Sequence, residues 1–159
     1  MDAFLEWVKT NKQHYALVDK SYKKVCQGEE KRSNANDIKV NTELATYGDA
    51  VLKLALCQIL WCDNISKFSE KKKKYEEDET LVKIIAKHYN LLDFIKSDNT
   101  KPKDYNYLKS DTKKNGKNTH KFIATAVEAC LGAIYMDEGM DKVVRIVKVW
   151  KDMVDNNEN

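Results

Sequence analysis

Apolar positions recur at helical spacing in five stretches of this 159-residue chain, separated by polar or charged segments. Residues 3–26 carry Phe4, Leu5, Val8, Tyr15, Leu17, Val18, Tyr22 and Val25 in a pattern that predicts one or two short helices. "QGEEKRSNAND" (27–37) reads as a loop. A long helix is expected over 42–62, where "AVLKLALCQILWC" is apolar almost all round and predicts burial on most faces. The charged connection after it has room for a short helix. Residues 78–95 open with acids suited to a helix start and then place Leu81, Ile84, Ile85, His88 and Leu92 at amphipathic spacing. Residues 96–118 have no apolar periodicity and read as a functional or mobile loop. Two further helices are expected over 119–137 and 140–154, divided by the stop signal "EG".

The expected fold is therefore all-α, a single helical domain over 1–154 with a frayed acidic tail at 155–159. One proline and five glycines are too few for the turns of a many-stranded sandwich. No apolar run of about 18 residues is present to span a membrane, and "MDAFLEWVKTNK" does not read as a secretory leader. The four cysteines form no CxxC pair, and Cys57, Cys62 and Cys130 sit in apolar stretches. Reduced thiols, and an intracellular, cytoplasmic or nuclear setting, are expected.

The net charge of +3 says little, but residues 96–121 hold eight lysines against three aspartates. Such a run is ordinarily a solvated face; it becomes a phosphate-contacting surface when something else points to nucleic acid. Two acids bear on that question. Asp49 follows Gly48 near the start of the long apolar helix, and Glu128 is the only acid between residues 112 and 136. A lone aspartate at a helix start is ordinarily a dipole partner and a lone helical glutamate is ordinarily exposed. On core helices, though, a carboxylate must meet a cation, a donor or water. Two such groups could share one Mg²⁺, which takes oxygen ligands and is held by one or two carboxylates together with phosphate oxygens.

The stretch "NTELATYGDAVL" (41–52), through Asn41, Leu44, Gly48, Asp49, Ala50, Val51 and Leu52, resembles the signature of the ribonuclease III family. "ATAVEACLGAIYMD" (124–137) is similar to that family's second motif at Ala124, Glu128, Ala129, Gly132, Ala133, Tyr135 and Asp137. The resemblance runs from about residue 15 to 150, and Asn118 also falls where the family has an asparagine. It implies an endonuclease-domain helical bundle that cuts double-stranded RNA with Mg²⁺, for which Mn²⁺ can substitute. It also implies a twofold homodimer whose two sites cut opposite strands, and it carries Asp49 and Glu128 over as metal ligands and catalytic residues.

This chain departs from the pattern at three places: Thr42 and Ala45 replace two glutamates, and Thr125 replaces an aspartate. Ala45 lies four residues before Asp49 and Thr125 three before Glu128, so each helical face keeps one ligand position and loses one. The Mini-III branch of the family, which lacks a separate RNA-binding domain, has the same alanine and threonine. Backbone contacts to RNA fall to Lys113, Lys114, Lys117 and Lys121, with recognition by A-form shape. Two functions stay open at this level. One is a metal-dependent endoribonuclease of RNA processing with a reduced carboxylate set; the other is an inactive RNA-binding or structural protein that keeps the fold.

Overall fold

The computed structural model describes residues 2–28, 37–61, 66–108 and 118–157. These residues form α1 (Ala3–Thr10), α2 (Tyr22–Gly28), α3 (Thr42–Trp61), α4 (Phe68–Glu76), α5 (78–88), α6 (Lys121–Glu138) and α7 (Met140–Asn156). Single 3₁₀ turns occur at Tyr15–Leu17 and Leu91–Asp93. Among the described residues there is no strand, only an isolated bridge between Val18 and Lys96. The all-α expectation holds.

The two most apolar helices, α3 and α6, pack against each other at the centre, and α7 lies against both. On these two helices Leu52, Ala55, Leu56, Ile123, Val127 and Leu131 are buried in the core. Each large aliphatic side chain removed from water contributes on the order of 2 kcal/mol. Gly139, at φ 81°, makes the turn from α6 to α7, and glycine meets the positive φ without a Cβ penalty. At the other end, Asp2 caps α1 through Oδ1, which accepts from the amides of Phe4 at 2.9 Å and Leu5 at 3.3 Å.

Three expectations change in contact with the structure. The helix foreseen over 78–95 ends at residue 88, because Asn90 turns left-handed (φ 50°) and starts a separate 3₁₀ turn. Within α5, Leu81–Ala86 is wound more loosely, as a π segment, a feature frequent near functional sites. The helix α3 is not buried on most faces: Tyr47, Leu54 and Trp61, seven residues apart, stay 45%, 51% and 59% exposed along one stripe. The last helix continues through Asn156, with Asp155 accepting from the Tyr75 hydroxyl at 2.8 Å and paired with Lys74 at 3.2 Å. Thus Asp155 and Asn156, expected in the tail, are helical. Cys130 is buried and Cys57 half-buried, both free thiols; Cys62 lies outside the described residues.

Candidate metal and nucleic-acid site

The site is built where α3 and α6 come closest. A Cβ on Gly48 would lie 1.8 Å from the carbonyl oxygen of Glu128, and one on Gly132 would lie 2.8 Å from that of Leu44. Only glycine at both positions lets the backbones touch, and so the residue after Gly48 and the residue before Ala129 face the same region. Asp49 and Glu128 thereby become electrostatic neighbours, although 79 residues apart in the chain.

Their environments differ. Asp49 is 35% exposed at its side chain and accepts a 2.6 Å hydrogen bond from Lys53 Nζ, one turn along α3. That bond holds the Lys53 ammonium above its ordinary range. Glu128 is half-buried and makes no hydrogen bond or ion pair with any described residue. Desolvation, then the charges of Asp49 and Asp78, push its carboxyl up to about 8, against the opposing pull of Lys121 and Lys53. Asp78, at the start of α5, is paired with Lys121 Nζ of α6 at 3.6 Å. Two lysines thus stand beside three acids.

A divalent oxygen-seeking cation fits this donor set. The desolvated Glu128 carboxyl beside Asp49, without a partner among the described residues, is held neutral by its proton, and a divalent cation would take the proton's place. Among the described residues, no three histidine, cysteine or acidic side chains converge closely enough to hold a metal by themselves. The remaining positions would fall to water and substrate oxygens, as Mg²⁺ accepts.

The other foreseen residues fall into place unevenly. Ala45 is buried in the core. The Thr125 hydroxyl donates to the Lys121 carbonyl at 3.0 Å, satisfied by its own helix. Thr42 opens α3 at the surface, its carbonyl accepting from the Thr46 hydroxyl at 3.3 Å. Lys121 is exposed and engaged with Asp78; Lys113, Lys114 and Lys117 lie outside the described residues. Two motif residues are structural. Asn41 is fully buried, donating from Nδ2 to the Ala16 carbonyl at 3.3 Å, and Asp137 accepts from the Trp7 indole at 3.2 Å, fastening α1 to the end of α6. Lys53 and Asp78 went unforeseen: an i,i+4 lysine reads as a surface pair, and an acid in a first turn reads as a dipole partner. The sequence offered one signal only, Lys53 on the same face as Asp49.

Residues 42–139 match the family model of the ribonuclease III domain. The fold is also similar to a solved nuclease domain of ribonuclease III from Campylobacter jejuni, described for structural flexibility in a region involved in dimer formation. The TM-score is 0.63 at 23% identity, covering 96% of each chain.

Proposed function

The chain belongs to the ribonuclease III family, and from that premise we propose that it is a metal-dependent endoribonuclease hydrolysing phosphodiester bonds of double-stranded RNA. The observation that carries the proposal is the Gly48–Gly132 crossing, which makes neighbours of Asp49 and a Glu128 carboxyl that has no partner among the described residues. Both acids would hold Mg²⁺, with Mn²⁺ as a substitute. The chemistry such an ion supplies when bound is activation of water and neutralisation of charge on the phosphodiester. The protein's own part is to hold two carboxylates on rigid, interlocked helices. Glu128 would hold such an ion in its deprotonated form, releasing the proton it otherwise keeps. Lys53 and Lys121 keep positive charge beside the acids, where a phosphate would enter.

Two further parts of the reading rest on the surface. The stripe of Tyr47, Leu54 and Trp61 on α3 suits a second copy of the chain about a twofold axis, which would absorb apolar area that the monomer leaves in water. The free thiols, including a Cys130 whose ionisation burial opposes, suit a reducing intracellular setting. No described helix is long and apolar enough to cross a membrane.

The competing function, an inactive RNA-binding or structural protein, is favoured by one specific observation. Ala45 is in the core and Thr125 is bonded to its own helix, so neither stands in for a carboxylate. Incubating the protein with end-labelled duplex RNA in Mg²⁺, beside Glu128→Gln and Asp49→Asn, decides between them. The endoribonuclease reading expects cleavage by the parent, lost in both variants and in EDTA. Binding without cleavage in Mg²⁺ and Mn²⁺ would establish the competing one.

A further inference from the structure

Outside the acids, the described residue cluster with the clearest charge is a cleft between α5 and the segment that follows the 3₁₀ turn. It is lined by Lys83, Lys87, Lys103, Asp104, Tyr105 and Asn106. Its acidic member is already engaged: Asp104 Oδ1 contacts His120 Nε2 at 2.9 Å and accepts the Asn106 amide at 2.8 Å. Lys83 pairs with Glu79 at 2.8 Å. Lys87 and Lys103 are exposed, and neither has an acidic partner among the described residues.

One wall of this cleft belongs to α5, and the other is tied to the residue that precedes α6. Lys83 and Lys87 stand one turn apart on α5, whose first residue, Asp78, is paired with Lys121. The opposite wall is fixed at two points. The Tyr105 hydroxyl accepts the Leu92 amide at 3.1 Å, and Asp104 is held by His120, the residue immediately before α6. The lysines therefore sit on a frame continuous with the carboxylates, and side by side rather than scattered over the surface.

We propose that Lys83, Lys87 and Lys103 form a phosphate-backbone track that receives the same duplex RNA whose scissile bond lies at Asp49 and Glu128. The inference rests on the endoribonuclease reading above and names where the substrate continues beyond the acids. Polyanion backbone is the occupant because three of the six lining residues are lysines and the one acid among them, Asp104, is already engaged by His120. A duplex, read by shape and backbone, needs no base-specific groups, and none are required of three lysines.

The test is equilibrium binding of a short duplex RNA in EDTA at 50 to 200 mM salt. The parent is compared with the variant Lys83→Ala/Lys87→Ala/Lys103→Ala and with a charge-matched control, Lys9→Ala/Lys20→Ala/Lys148→Ala. Circular dichroism and thermal unfolding of each variant establish that it is folded. If the track is real, the cleft variant loses about 2.7 from the slope of log affinity against log salt, about 0.9 for each lysine, so that its affinity falls about 40-fold less than the parent's across that range. The control keeps the parental slope. Equal slopes in cleft variant and control, with the parent binding RNA, would overturn the track and leave the nuclease reading standing. A parent that binds no duplex RNA would remove that reading and the track with it.

Discussion

Asp49 and Glu128 occupy equivalent places on two crossing helices, yet the protein treats them differently. Asp49, on the open side of α3, is neutralised within its own helix by Lys53 at 2.6 Å. Glu128, on α6 at its crossing with α3, has no partner among the described residues and is neutralised by keeping its proton, with its carboxyl pushed up to about 8. A pair of carboxylates can thus be stored in a folded protein without metal by two routes, an internal cation and protonation. The partnerless one should dominate the response to pH and to metal.

The largest expected effect follows from that contrast. A carboxyl whose folded value lies above its unfolded value supports folding only while protonated. The support is complete below about 4.5 and is lost as pH rises towards about 8. In EDTA, Glu128→Gln should therefore match the parent near pH 4 and exceed it increasingly up to pH 8, by on the order of 4 kcal/mol. Chemical denaturation across that range measures the gap. Mg²⁺ should narrow it by stabilising the parent alone, and parental Mg²⁺ affinity should rise with pH until about 8. A pH-independent gap would mean that Glu128 is ionised and partnered in the folded state, and the contrast with Asp49 would be lost.

Slightly smaller is the cost of separating the helices. Gly48→Ala sets a Cβ against the Glu128 carbonyl oxygen, a backbone atom that cannot turn aside. Destabilisation of about 3 kcal/mol is expected, seen as a loss of roughly 6–12 °C in Tm. A variant as stable as the parent would show that α3 and α6 do not depend on this contact, and the shared location of the two acids would need another cause.

How much of this could be read from residues alone depends on what signals each part. Long apolar runs announced α3 and α6, and "GD" and a solitary Glu128 announced the acids. The chain's lysine-rich α4 carries little periodicity; its hold on the fold comes from Lys74 and Tyr75 reaching Asp155, 80 or so residues away. The end of α5 at residue 88 depends on the backbone of Asn90, which amphipathic spacing does not report. Asp78, Lys53 and the Lys83–Lys87–Lys103 cleft were hidden for one reason: each looks like routine helix-surface chemistry until tertiary packing assigns its neighbours.

A finer contrast separates the two lysines from the acids they accompany. Lys53→Met leaves Asp49 without its internal cation and removes a positive charge that Glu128 feels. The exposed pair itself is worth at most about 1 kcal/mol, so stability should change little. Mg²⁺ should bind more tightly, because an ammonium no longer competes for Asp49, and calorimetric titration reads this directly. Weaker binding would instead make Lys53 a support for the bound state rather than a placeholder.

The smallest effect concerns Asp78, which touches neither Asp49 nor Glu128 through any hydrogen bond yet stands among the charges that raise Glu128. Desolvation is the leading cause of that rise and Asp49 the second, so removing Asp78's charge can reverse only part of it. In Asp78→Asn, carboxyl titration of Glu128 followed by NMR should move down from about 8 while staying well above 4.5, and Asp49→Asn should move it further. The order of the two shifts carries the content. Desolvation is the largest influence on Glu128, the Asp49 charge acts across the helix crossing, and the Asp78 charge acts from α5 opposed by Lys121, with which it is paired at 3.6 Å. If Asp78→Asn shifted Glu128 more than Asp49→Asn did, the electrostatic partner of Glu128 would lie on α5 and not on α3. The candidate metal position would then move to the Asp78 side of α6.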